Sequence, residues 1–92
     1  MSRMFNPPHP GELVKEYLPD GVSMAKASEK LGISRQSLSA IVNGRAGITA
    51  DMALRLAKAF GTSADVWLGM QMQYDLWVAK RNPPKGVEKI AA

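Results

Sequence analysis

The sequence predicts an all-α domain of five helices, and three observations carry that prediction. Apolar residues recur at the 3, 4 spacing of a helix face, and no window alternates polar and apolar side chains long enough to argue a strand. Three consecutive segments open on a hydroxyl side chain and close on a glycine: Ser23 to Gly32, Ser34 to Gly44, and Thr49 to Gly61. Prolines flank the helical patterns, where they start or stop helices rather than break them.

Asn6-Pro7-Pro8-His9-Pro10 is extended and turn-prone, and Pro10 suits the first turn of a helix whose apolar positions are Leu13, Val14, Tyr17 and Leu18. Pro19 ends it, and Asp20-Gly21 turns the chain. The next three helices follow from their punctuation. A Ser or Thr at the N-cap accepts a bond from an orphan backbone N–H, and a glycine just past the last turn takes the left-handed conformation that satisfies the final carbonyls. Ser63 caps a longer fifth helix with Asp65 in its first turn, running through Trp67, Met70, Tyr74 and Trp77 to about Arg81, where Asn82-Pro83-Pro84 stops it. The domain is expected to span residues 1–82, and 83–92, with two prolines, a glycine and alternating charge, to form a flexible tail.

Composition narrows the function. A chain of 92 residues with 46% hydrophobic side chains fits one small domain. At this size folding buries only about 60 to 65% of the unfolded surface, so a deep active-site cavity would compete with the core for apolar residues. With no cysteine and a single histidine, His9, there is no thiol nucleophile and no set of metal ligands, and no cofactor is expected. His9 with Glu12, or Glu12 with Glu16, lacks a nucleophile and an orienting third group, so the chain is not expected to be an enzyme or to take a small-molecule substrate. His9 beside Pro10 reads as a helix-start residue. No apolar run nears the ~20 residues of a membrane span, and a domain without disulfides fits the cytoplasm.

Charge is uneven along the chain. Residues 1–22 carry −1, residues 23–61 carry +4 and residues 62–92 carry +1. The excess rests on Lys26, Lys30, Arg35, Arg45, Arg55 and Lys58 against Glu29 and Asp51, so an anionic partner is expected to dock in the middle segment.

That segment holds two short helices joined only by Gly32-Ile33-Ser34, the length and composition of a helix-turn-helix over about residues 23–44. On the second helix, Leu38, Ile41 and Val42 share one side, while Gln36, Ala40 and Asn43 point away, flanked by Ser37 and Ser39. The outward face is neutral, small or amide-bearing, where a solvated helix usually carries Lys and Glu. Such a face suits a helix lodged between phosphate ridges. Gln pairs with adenine N6 and N7, and Arg with guanine O6 and N7, so Gln36 and Arg35 are candidate base readers. Arg35 also suits a phosphate, and Arg45, where the chain leaves the groove, suits the DNA backbone.

ISRQSLSAIVNGR at positions 33–45 resembles the recognition helix of the phage-repressor (XRE) class of helix-turn-helix. NPPHPGEL at 6–13 and ITADMALRLAKAFGTSADVWLGMQMQYDLW at 48–77 extend the resemblance to the HigA antitoxin family, the DNA-binding half of a bacterial toxin–antitoxin pair. The resemblance implies base contacts from Arg35, Gln36 and Ala40, and phosphate contacts from Ser34, Asn43 and Arg45. It further implies double-stranded operator DNA and a small basic ribonuclease toxin as partners. The class often places glutamine where this chain has Met24, with Lys26 a substitute phosphate contact, and Ser28 stands for the usual alanine where the two helices touch. The same motif also serves XRE-class regulators that have no toxin partner.

The last helix is apolar on two sides. Trp67, Met70, Tyr74, Trp77 and Val78 form one, expected to face the domain's own core through Leu56, Ala57 and Phe60. Leu68, Met72 and Leu76 form the other, expected to pair with a second copy, since readers of this kind match a two-fold operator. The net-negative first third, with Glu12, Glu16 and Asp20 beside Phe5 and Tyr17, is the candidate surface for a basic toxin.

Overall fold

The computed structural model describes residues 6–91. Five helices follow one another: α1 (Pro10–Tyr17), α2 (Met24–Leu31), α3 (Arg35–Val42), α4 (Ala50–Phe60) and α5 (Ala64–Arg81). The described residues contain no strand. α1 packs on α3 and α5, α2 on α3 and α4, and α4 on α5. The core they enclose is built from Val14, Ala27, Leu31, Leu38, Ile41, Val42, Ile48, Met52, Ala53, Leu56 and Trp67.

The hydroxyl caps form as expected. Ser23 accepts the N–H of Lys26 at 3.1 Å, Ser34 that of Ser37 at 3.0 Å, Thr49 that of Met52 at 3.2 Å and Ser63 that of Asp65 at 3.1 Å. Each is worth about 1 kcal/mol, and α2, α3 and α4, at 8, 8 and 11 residues, are too short to stand alone in water. Gly32 and Gly61 close α2 and α4 in the left-handed conformation. α1 starts differently, on a ring nitrogen: His9 Nδ1 accepts the N–H of Gly11 at 2.9 Å. His9 is buried, its ring edge against Tyr74 of α5 with centroids 4.9 Å apart.

Aromatic contacts lay α5 antiparallel to α1. His9 meets Tyr74 at one end, and at the other Tyr17 meets Trp67, with Phe60 beside both. Trp67 is wholly buried and donates its Nε1–H to Thr62 Oγ1 at 2.7 Å. Gly11 permits the other contact of α1, because a Cβ there would overlap the carbonyl oxygen of Ile41.

Two expectations about packing change. The inward face of α5 does not reach Val78: that side chain is exposed, Trp77 is half-buried under the Arg81 guanidinium, and every described residue from Val78 onward is exposed. The final turn of α5 overhangs the bundle, so spacing alone overstated the core stripe. On α4 the buried set is Met52, Ala53 and Leu56, with Ala57 and Phe60 only half-buried. Residues 83–91 carry no helix or strand. Among the described residues no helix is long and apolar enough to cross a membrane.

Candidate nucleic-acid interface

The α2–α3 turn is fixed from both sides. Within it, Gly32 N–H donates to Glu29 O and Ile33 N–H to Ser28 O. From outside, Arg55 of α4 donates its Nη1–H to the carbonyls of Leu31 at 3.0 Å and Gly32 at 3.3 Å, while its Nε–H binds Asp51 Oδ2 at 2.7 Å. A cation on the last carbonyls of α2 also complements the helix dipole. Arg55 is therefore part of the scaffold, which corrects its place among the anion-docking cations. Ser28, expected where the two helices touch, is buried, and its hydroxyl donates to Ala25 O at 2.9 Å.

With the turn fixed, α3 buries Leu38, Ile41 and Val42 and leaves Arg35, Gln36, Ser37 and Asn43 exposed, with Arg45 exposed just beyond. Ser39 and Ala40 are half-buried, so Ala40 points away less than helical spacing suggests. Positions 34–45 contain no carboxylate. Met24, Arg35, Gln36, Ser39 and Arg45 line one open groove of about 410 Å³. Neither arginine joins an ion pair among the described residues, whereas Lys26 lies 3.7 Å from Glu29 in an exposed pair that costs little to break.

Several of the hydroxyls and amides are already ordered. Ser34 Oγ, besides capping the helix, donates to Ser37 Oγ at 2.9 Å, and Asn43 Nδ2 donates to Ser39 O at 2.9 Å and to Ser39 Oγ at 3.2 Å. Asn43 thereby closes the end of α3, after which Gly44 takes φ +74° and the N–H groups of Arg45 and Ala46 both bind Ala40 O. This sharp exit returns Arg45 to the groove that Arg35 opens.

One residue of the site's support is absent from the sequence reading. Gln71 of α5 is buried, accepts the N–H of Ile48 at 2.7 Å and donates to Asp75 Oδ1 at 2.9 Å. It holds the loop that carries Arg45. Its signal was a polar residue four after Trp67 and three before Tyr74, inside the core stripe.

Elsewhere, Leu68, Met72 and Leu76 line a shallow groove with Ile48 and Ala79, bordered by the polar Gln71 and Asp75, that no other described segment fills, Met72 being 60% and Leu76 51% exposed. On α1, Glu12 and Glu16 are exposed and, with Lys15 between them, share a groove with Asn43 and Gly44, beside the end of α3. Tyr17 is 43% exposed yet packs edge-on against Phe60 and Trp67, so only part of it is open to a partner. Phe5 lies outside the described residues. Among them, no group of three His, Cys, Asp or Glu side chains is placed to hold a metal ion.

A Helix-turn-helix family model matches residues 16–67, more than half of the chain. Virulence-associated protein A' of Dichelobacter nodosus is 47% identical over 76 residues, covering 80% of this chain and 66% of that protein, so the chain spans about two thirds of this relative's length. An addiction module antidote protein of the HigA family from Coxiella burnetii has a solved structure that superposes with a TM-score of 0.78 at 43% identity, covering 84% of this chain and 86% of that one. The antitoxin HigA of Pseudomonas aeruginosa, solved with the higBA promoter, superposes with a TM-score of 0.75 at 31% identity, covering 92% of this chain and 99% of that one. The chain belongs to the helix-turn-helix family of the XRE type, together with HigA antitoxins.

Proposed function

We propose that this chain is a homodimeric, operator-binding antitoxin that represses its own operon and neutralises a partner ribonuclease toxin. The observation that carries the DNA-binding part is the face of α3: exposed, free of carboxylates and bracketed by Arg35 and Arg45, neither ion-paired among the described residues. A phosphate-lined groove repels carboxylates and draws guanidinium groups, so this face has the chemistry of a helix seated in the major groove. Arg35, Gln36 and Ala40 address base edges, with Ser37 and Ser39 beside them. Ser34, Asn43, Arg45 and Lys26 address phosphates and set the register. For Asn43 that contact requires giving up a bond to Ser39.

The half-exposed row Leu68, Met72 and Leu76 supplies the dimer contact, since an uncovered apolar stripe of this kind marks an interaction surface. The P. aeruginosa relative bound to promoter DNA supports operator binding by the same fold. A toxin that acts on RNA is expected to be basic, and the acidic α1 surface around Glu12 and Glu16 suits it. A gel shift with the chain's own promoter, with and without the product of the adjacent gene, tests operator binding and association with the toxin. A specific shift altered by that product supports the reading, and no shift at physiological salt refutes it.

A further inference from the structure

Within the groove beneath α3, four lining residues bring charge, amide or hydroxyl groups, and the fifth brings none. Met24 is the first residue of α2, directly after its Ser23 cap. It is half-buried: part of the side chain packs against the core, and part lines the groove with Arg35, Gln36, Ser39 and Arg45. A thioether has no proton to donate and is only a weak acceptor, so it gains nothing from a phosphate or a carbonyl edge. Its length and flexibility do suit an irregular apolar contact. The major groove displays one apolar group, the C5-methyl of thymine. Gln36, whose amide matches adenine, lines the same groove, and each adenine it could read is paired with a thymine whose methyl stands on that edge.

We infer that Met24 reads a thymine C5-methyl beside the base contacts of α3, making the first residue of α2 a determinant of sequence preference. The inference rests on the operator-binding reading above and deepens it. Met24 then acts with Gln36 as one unit, the amide choosing the pair by hydrogen bonds and the thioether filling the apolar space next to it. The contact is specific in sequence and insensitive to salt, unlike the arginine contacts on either side.

The test changes the DNA by one methyl group at a time and the protein only at Met24. In duplexes of the chain's own operator, single thymines are replaced by uracil, which removes only the methyl, and binding is measured for wild type, Met24→Ala and Met24→Leu. At one position per half-site, wild type is expected to bind uracil about fourfold more weakly, the ratio that follows from ~0.8 kcal/mol per buried methyl-sized group. Met24→Ala should bind both duplexes equally, and Met24→Leu should keep part of the difference. Melting curves of both variants confirm that each is folded at the assay temperature. A uracil effect that persists unchanged in Met24→Ala places the methyl contact elsewhere and overturns the inference. So does a uniform loss in Met24→Ala with no uracil effect in wild type. Failure of wild type to bind the all-thymine operator overturns the operator reading as well, so the two failures are distinct.

Discussion

Gln71 on the last helix accepts the backbone N–H of Ile48 at 2.7 Å and so ties the loop that follows the recognition helix to α5. Gly47, next to Ile48, leaves room for this contact, because a Cβ there would stand 3.1 Å from the Gln71 amide. The placement of Arg45, two residues earlier, thus depends on a side chain 26 positions further along the chain. The helix proposed to form the dimer also braces the groove proposed to hold DNA.

Replacing Gln71 with leucine is therefore expected to destabilise the fold by about 1 to 3 kcal/mol, because the Ile48 N–H is left buried without an acceptor. Urea denaturation measures this as a lowered midpoint at unchanged slope. A midpoint equal to that of wild type would show that the loop does not need the bond.

Two glycines should respond in opposite senses to alanine. At Gly11 a Cβ would overlap the Ile41 carbonyl, so α1 must move off α3 at a cost of about 1 to 3 kcal/mol. At Gly69, inside α5, nothing lies within 4 Å of the added Cβ and the backbone is helical, so alanine should stabilise by about 0.5 to 1 kcal/mol. Thermal melts of both variants check the pair, and equal shifts would contradict the packing.

What the sequence made legible is what depends on near neighbours. The caps at Ser23, Ser34, Thr49 and Ser63 and the closures at Gly32 and Gly61 are local devices, and each stands where it was expected. The faces of α3 followed from its period, except that Ala40 is half covered because its carbonyl receives the returning chain. The supports were not legible. Arg55 clamps a turn 23 and 24 positions away, and Gly11 matters only because α3 passes over it. Charge counting placed Arg55 with the DNA-facing cations, since a sum over residues cannot tell a clamp from a surface group. On α5 the stripe was drawn too long, because a period says which side faces inward but not where the neighbouring helices end.

The dimer is open to a direct check. Leu68→Asp or Leu76→Asp should yield monomers, since a carboxylate trapped across an apolar interface without a partner costs several kcal/mol. Sedimentation at tens of micromolar reads the result, and a monomeric wild type would remove the two-fold arrangement.

For the toxin surface, a Glu12→Lys, Glu16→Lys double variant should lose capture of the adjacent gene's product at physiological salt while keeping its helix content. Because both carboxylates border Asn43, the same variant should also bind nonspecific DNA more tightly at low salt. Unchanged capture in a pull-down would send the toxin to another surface.

Whether α3 reads DNA through its exposed face is tested by a salt titration of operator affinity for wild type, Gln36→Ala and Arg45→Ala. Gln36→Ala is expected to lose about 1 to 3 kcal/mol on the operator, to relax preference at one base pair and to keep the wild-type salt slope. Arg45→Ala is expected to weaken binding to every sequence alike and to lower the slope by about one unit. If Gln36→Ala leaves both operator affinity and base preference as they are in wild type, the face of α3 is not the reading surface.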